Sequence, residues 1–166
     1  MNKEITAREL RKIYQILKAF NEGLIVNPSE EWELDYYDES VADKKGIVAI
    51  LRKIENLLPK DDKEKINKNI LRRKYDTFNS ETDEKVYSKI EKAFNERRII
   101  QIGYFDMGSA EIIKREIDVY HKTRRYVIAY CHLRNAIRKF RTSRMVSAKL
   151  TDKNYSIPAD FDKNRY

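Results

Sequence analysis

Apolar residues recur every three to four positions through the first half of the chain. Leu10, Ile13, Tyr14, Leu17 and Phe20 fall on one face of a predicted helix. Ahead of them, Thr6-Ala7-Arg8-Glu9 fits a capping box, in which the Thr6 and Glu9 side chains each satisfy an amide that a helix start leaves orphaned. Gly23 supplies a stop. A second stripe, Ile47, Val48, Ile50, Leu51, Ile54, Leu57 and Leu58, ends at Pro59. Asp61-Asp62-Lys63-Glu64 offers a cap for a weaker third helix bearing Ile66, Ile70 and Leu71. A fourth helix begins near Ser80 and presents Val86, Tyr87, Ile90, Ala93 and Phe94. These stripes predict helix-on-helix core rather than cofactor-lining surfaces.

The period changes after Asn95. Ile99 to Phe105 is β-branched and aromatic, and Asp106-Met107-Gly108-Ser109 reads as a turn. Glu111 to Tyr120 alternates as a second strand and Arg125 to His132 as a third. Leu133 to Ala136 fits a short turn before two more strands, Ile137 to Thr142 and Met145 to Leu150. One helix feeding five short sequential strands predicts an α+β chain that ends in a small, strongly bent sheet or barrel. No repeat or Gly/Ser/Pro linker marks a boundary, which falls softly around residues 75–82. The predicted division is a helical connector or dimerisation region over 1–80 and a five-stranded β-barrel domain over 81–166.

Composition narrows the class. The chain has 166 residues with 35 Lys+Arg against 27 Asp+Glu, enough for one ordinary domain or a small domain with a helical extension. Mean hydropathy is −0.77, and no apolar run approaches the ~18 residues that a membrane span requires. The polar start Met1-Asn2-Lys3-Glu4 does not read as a secretory signal, and a single cysteine, Cys131, suits a reducing cytoplasm.

The charge is uneven. Residues 1–80 hold 16 basic and 15 acidic side chains, whereas 81–166 hold 19 and 12. Within 121–150 there are nine basic residues and no acid, and six of the nine are arginine (124, 125, 134, 138, 141 and 144). Arginine meets phosphate through a planar fork of donors, so this stretch predicts an anionic partner.

Catalytic chemistry finds little material. Cys131 and His132 are neighbours on a predicted strand, so their side chains point to opposite faces and cannot share a proton. Two histidines, His121 and His132, are too few for a transition-metal site, and glycines at 23, 46, 103 and 108 build no phosphate loop. No enzyme activity, metal or cofactor is predicted. Strand alternation instead sets Val127, Ala129 and Cys131 on a packing face, with Tyr126, Ile128, Tyr130 and His132 on the other. Aromatics interleaved with arginines suit single-stranded nucleic acid or a nucleotide, because bases stack on rings while guanidinium groups hold phosphates.

From about Thr82 to Asp162 the chain resembles the WYL-domain family of bacterial modules. The resemblance rests on Arg125-Tyr126-Val127-Ile128-Ala129-Tyr130-Cys131-His132-Leu133-Arg134, then Arg138-Lys139-Phe140-Arg141, then Ser143-Arg144-Met145-Val146. Ile99–Phe105 upstream and Tyr155–Phe161 downstream extend it. Arg125-Tyr126-Val127 stands where the family has its Trp-Tyr-Leu triplet. The resemblance implies an Sm-like (SH3-type) barrel that senses a ligand, often a nucleotide or single-stranded nucleic acid. Such barrels control transcription through a linked DNA-binding domain or serve in phage defence. Residues 1–80 lack a convincing wing hairpin or basic recognition helix and resemble the helical connector of such regulators.

The expected site follows. Tyr126 and Tyr130 stack or bound the pocket beside His132, and Arg134, Arg138 and Arg144 take phosphates. Arg125 and Arg141 lie on the opposite strand faces, and Arg144 has the alternative of a structural pairing with a carboxylate. A second reading makes the chain a protein-interaction module whose helical half dimerises or docks on a larger effector. Residues 30–43 hold seven acids and no base. They read as a linker or as an acidic cover for the basic face.

Overall fold

The computed structural model describes residues 5–24, 44–76 and 82–166. The acidic stretch 30–43 and the predicted helix start at Ser80 lie outside the described residues. The chain divides into two compact units, Met1–Asp76 and Thr77–Tyr166.

The first unit contains α1 (Ala7–Asn21), α2 (Lys44–Leu57) and α3 (Lys60–Asp76). α1 opens with the predicted capping box: the Thr6 side chain accepts from the Glu9 amide while Glu9 accepts from the Thr6 amide at 2.9 Å. Its apolar face buries Tyr14 against Ile47, Leu51 and Leu58, with Leu10, Leu17, Phe20, Ile54 and Ile66 packed around them. The Tyr14 hydroxyl lies 2.8 Å from Glu55 Oε1 and 3.0 Å from the Asn67 amide oxygen, which ties the three helices together. α3 starts earlier than the acidic run suggested. It begins directly after Pro59, so Asp61 and Asp62 sit inside its first turn, where they favour the helix dipole and Asp62 pairs with Arg11 at 2.9 Å.

The second unit begins with α4 (Glu84–Glu96), capped by Asp83, whose carboxylate accepts from the Lys85 and Val86 amides. The strands are β1 (Arg98–Asp106), β2 (Glu111–Lys122), β3 (Tyr126–Cys131), β4 (Ala136–Arg141) and β5 (Met145–Asn154), with a 3₁₀ turn Thr142–Arg144 before β5. All pairings are antiparallel, in the order β4-β3-β2-β1-β5. Val86, Ile90 and Ala93 of α4 pack on the face that carries Ile100, Ile102, Ile117, Val119, Val127, Ala129, Cys131, Phe140 and Met145.

The expected closed barrel is not formed. No ladder joins β4 to β5, so the architecture is α+β with an open sheet. The sheet does curl strongly: the Tyr104 ring of β1 meets Phe140 of β4 edge-on at 5.1 Å, and the Tyr104 hydroxyl accepts from the Arg141 amide. Register shifts in the β1–β5 and β2–β3 ladders supply the bend.

Residues 155–166 fold back over the opposite face. β1 pairs with β2 only as far as Ile117, and beyond that point the Val119 carbonyl accepts from the Tyr155 hydroxyl. Phe161 packs edge-on against Tyr120 at 5.1 Å, and Tyr166 stacks on Phe161. α4 thus covers one face of the sheet and this segment part of the other, which accounts for the burial of Ile128 on the nominally outer face.

Candidate ligand-binding surface

The β3–β4 register sets which side chains share a face. Tyr126 pairs with Arg141, Ile128 with Lys139 and Tyr130 with Ile137. Directly opposed residues project to the same side, so Tyr126, Lys139 and Arg141 are together on the outer face. The Lys139 ammonium lies 5.0 Å from the Tyr126 ring centroid. Thr123 fixes that ring from the preceding turn: its amide donates to the Tyr126 carbonyl at 2.8 Å and its hydroxyl accepts from the Tyr126 amide at 3.0 Å. A cleft of about 240 Å³ opens here, lined by His121, Thr123, Tyr126, Ile128 and Lys139 of the sheet and by Lys163 and Asn164 of the returning segment. Lys139 also donates to the Tyr166 carbonyl oxygen at 2.8 Å, which anchors the segment beside the cleft.

Tyr130, on β3's outer side, and His132, just past the strand end, have their rings 5.4 Å apart edge-to-face. His132 Nε2 is 2.7 Å from Asp118 Oδ1. Asp118 is buried, so this contact supplies a partner for a carboxylate withdrawn from water. The hydroxyls of Tyr120 and Tyr155 are pushed up from their ordinary value, by burial first; the Asp118 charge adds to both. The Tyr155 hydroxyl acts as a hydrogen-bonding phenol, donating to the Val119 carbonyl.

The arginines distribute differently from the sequence expectation. Arg138 pairs with Ala129 and therefore shares the side of Ala129, Cys131 and Phe140, away from the two tyrosines. Arg141, expected on the opposite face, stands directly across from Tyr126. Alternation along each strand is right, but the hairpin pairs even-numbered with odd-numbered residues, and that offset is fixed only by the turn. Arg134 lies in that turn, beside Asn135 with its left-handed φ of 47°, and its charge reaches the Asp106 carboxylate. Arg144 ends the 3₁₀ turn next to Met145, and Arg125 is exposed just before β3. The eight expected residues thus separate into an outer set, Tyr126, Tyr130, His132 and Arg141, and residues at the core-side edge or in turns, Arg134, Arg138, Arg144 and Arg125.

Sequence reading missed His121 and Lys163 as cleft residues and did not single out Lys139. Lys139 stood in the acid-free stretch, a usable signal. Lys163 enters only because the chain folds back, which local pattern does not encode. Cys131 and His132 do face opposite sides: the thiol is fully buried, and the imidazole is engaged with Asp118. Among the described residues no three His, Cys, Asp or Glu side chains cluster as a metal site, and no helix is long and apolar enough to cross a membrane.

Residues 85–150, from α4 into β5, match the WYL domain family. The family resemblance carried by the Arg125–Arg134 and Arg138–Arg141 segments is borne out over that stretch. No curated protein matches the chain. Among solved structures, the chain is similar to proteasome accessory factor B/C (PafBC) of Arthrobacter aurescens at 16% identity and a TM-score of 0.39, covering 91% of this chain and 21% of that one. The chain therefore spans about a fifth of that protein's length.

Proposed function

Since residues 85–150 match the WYL domain family, we propose that this chain is a non-enzymatic ligand-sensing regulator. Its ligand is a nucleotide or single-stranded nucleic acid, taken up on the outer face of the curled sheet. The observation that carries this reading is the cleft at Tyr126. A tyrosine ring held by Thr123 and flanked by Lys139 and Lys163 offers one flat apolar surface and two cations within the space of a nucleotide. Base stacking on an aromatic ring contributes about 1–3 kcal/mol, and each phosphate contact adds salt-dependent affinity. Arg141, opposite Tyr126, extends the cationic track along β4. The regulated process is transcription or phage defence, as the family resemblance implies, and the bent sheet serves as an Sm-like barrel left open at one seam.

Fluorescence anisotropy with short labelled RNA and DNA strands, and competition by free nucleotides at two salt concentrations, tests the reading. Tyr126→Ala is expected to weaken strand binding by about tenfold, the lower end of one stacking contact. Lys139→Ala is expected to flatten the slope of log affinity against log salt by about 0.7 for a single strand. Arg134→Ala with Arg138→Ala serves as the other-face comparison. If only that pair weakens binding, the ligand lies on the core-side edge and the outer cleft is not its site.

A second reading, a docking or dimerisation role for the helical unit, has its own observation. Ile13 and Ile16 of α1 and Ile50 and Leu57 of α2 remain exposed, Leu57 at 68%. Light scattering across a concentration series separates the two, because a mass that stays at one chain while strands bind excludes a dimerisation role.

A further inference from the structure

Two buried hydrogen-bond donors at and beside the turn between β1 and β2 have no partner. Arg115 lies on the core face of β2, only 4% exposed, at the end of the sheet opposite the one where Lys122 reaches Glu91 of α4. Its guanidinium donates one bond to Asp106 Oδ2 at 3.1 Å and makes a weak 4.0 Å contact with the Cys131 sulfur. Its Nε–H is buried and has no acceptor. The Ser109 hydroxyl, in the same turn, is also buried without a partner. Both residues converge on one carboxylate: Asp106 Oδ1 accepts from the Gly108 and Ser109 amides at 3.0 and 3.2 Å, while Oδ2 takes Arg115.

The charge is unbalanced in the same sense. Hydrogen bonds from the Ser109 and Gly108 amides, against the opposing effect of burial, hold the Asp106 carboxyl below its usual range. The charges of Arg115 and Arg134 reinforce them. One guanidinium is bonded to the carboxylate and the charge of a second reaches it, with a buried N–H and a buried hydroxyl left over. Buried donors are ordinarily paired, and what would pair these is an acceptor carrying negative charge. Two unpaired donors, one on Ser109 in the turn and one on Arg115 of β2, beside a carboxylate that already takes Arg115, suit an anion with several acceptor oxygens on one centre, as a phosphate group has.

We propose that the β1–β2 turn is a phosphate-type oxyanion site. Arg115 Nε and Ser109 Oγ are the donors, Arg134 is the guiding cation, and Asp106 is the built-in competitor that occupies Arg115 when the site is empty. Both donors are buried, so entry of the anion requires the turn Met107–Ala110 to shift. The site is separate from the Tyr126 cleft and does not rest on it. Its ligand is free phosphate or the terminal phosphate of a nucleotide.

Titrating the full chain with inorganic phosphate, with thymidine 5′-monophosphate and with thymidine, while following the arginine Nε–H NMR signals, tests this at matched ionic strength. The Arg115 signal, identified by its loss in Arg115→Lys, is expected to shift saturably with one or both phosphates and not with thymidine. Response to both identifies free phosphate as sufficient, and response to the nucleotide alone identifies a terminal phosphate; both support the site. Ser109→Ala is expected to weaken binding several-fold. Asp106→Asn keeps an oxygen for the turn amides but removes the competing charge, so it is expected to tighten binding by about tenfold. These two variants carry the test if Arg115→Lys fails to fold. No saturable shift with either phosphate, an equal response to thymidine, or unchanged or weaker binding in Asp106→Asn overturns the proposal.

Discussion

Tyr14 joins the three helices of the first unit through a hydroxyl that burial, aided by Glu55, pushes up to about 12 from an ordinary 10.0. A raised folded value means that the unfolded chain releases the proton first. The stabilisation is therefore complete below pH 10 and lost as pH climbs towards 12. Far-UV circular dichroism of the helical signal should fall over that window, and Tyr14→Phe should show a smaller fall there despite lower stability at pH 7. At this scale the sequence was readable where partners are close along the chain. The Thr6–Glu9 box is three residues wide and was visible as written. Asp118 and His132 are fourteen residues apart, meet across a β-hairpin, and no spacing rule points to them.

The strands were readable for a similar reason: alternation and turn residues are local, and five predicted strands correspond to five observed ones. Their register is not local. It decides that Arg141 and not Arg138 shares the Tyr126 side, which reassigned two of the five expected arginines. The bend depends on positions such as Gly103, which pairs with Ser147 of β5 beside a register shift. A Cβ there would lie 2.5 Å from Ser147 Oγ and 3.2 Å from a Val146 methyl. Gly103→Ala is expected to cost about 1–3 kcal/mol in urea unfolding, because overpacking must displace the β5 neighbours. Unchanged stability would mean that β5 yields freely and that the curvature is set elsewhere.

Across the whole molecule, the formal charge of +8 belongs mainly to the second unit, and the fold spreads it over two faces instead of one. Sequence pattern could locate the basic stretch and the family motif. It could not show that residues 155–166 return to build one wall of the cleft, since that depends on contacts such as Tyr155 with Val119 and Phe161 with Tyr120. Barrel closure was equally out of reach, because it turns on whether β4 and β5 meet.

An open sheet leaves two borders where unpaired amides and carbonyls could template a strand from another copy. On the β4 border the side chains Arg138, Lys139 and Arg141 project to both sides of the sheet, so a second molecule approaching in strand pairing meets like charge whichever way it faces. The cations that suit a phosphate ligand thus also act as gatekeepers against self-association. Replacing all three with glutamine should raise light scattering on storage at low salt, and a variant as clear as the parent would show that the border is guarded by shape alone. Evolution of the ligand preference in this chain is then constrained by solubility, because charge cannot leave β4 without exposing an aggregation-prone seam.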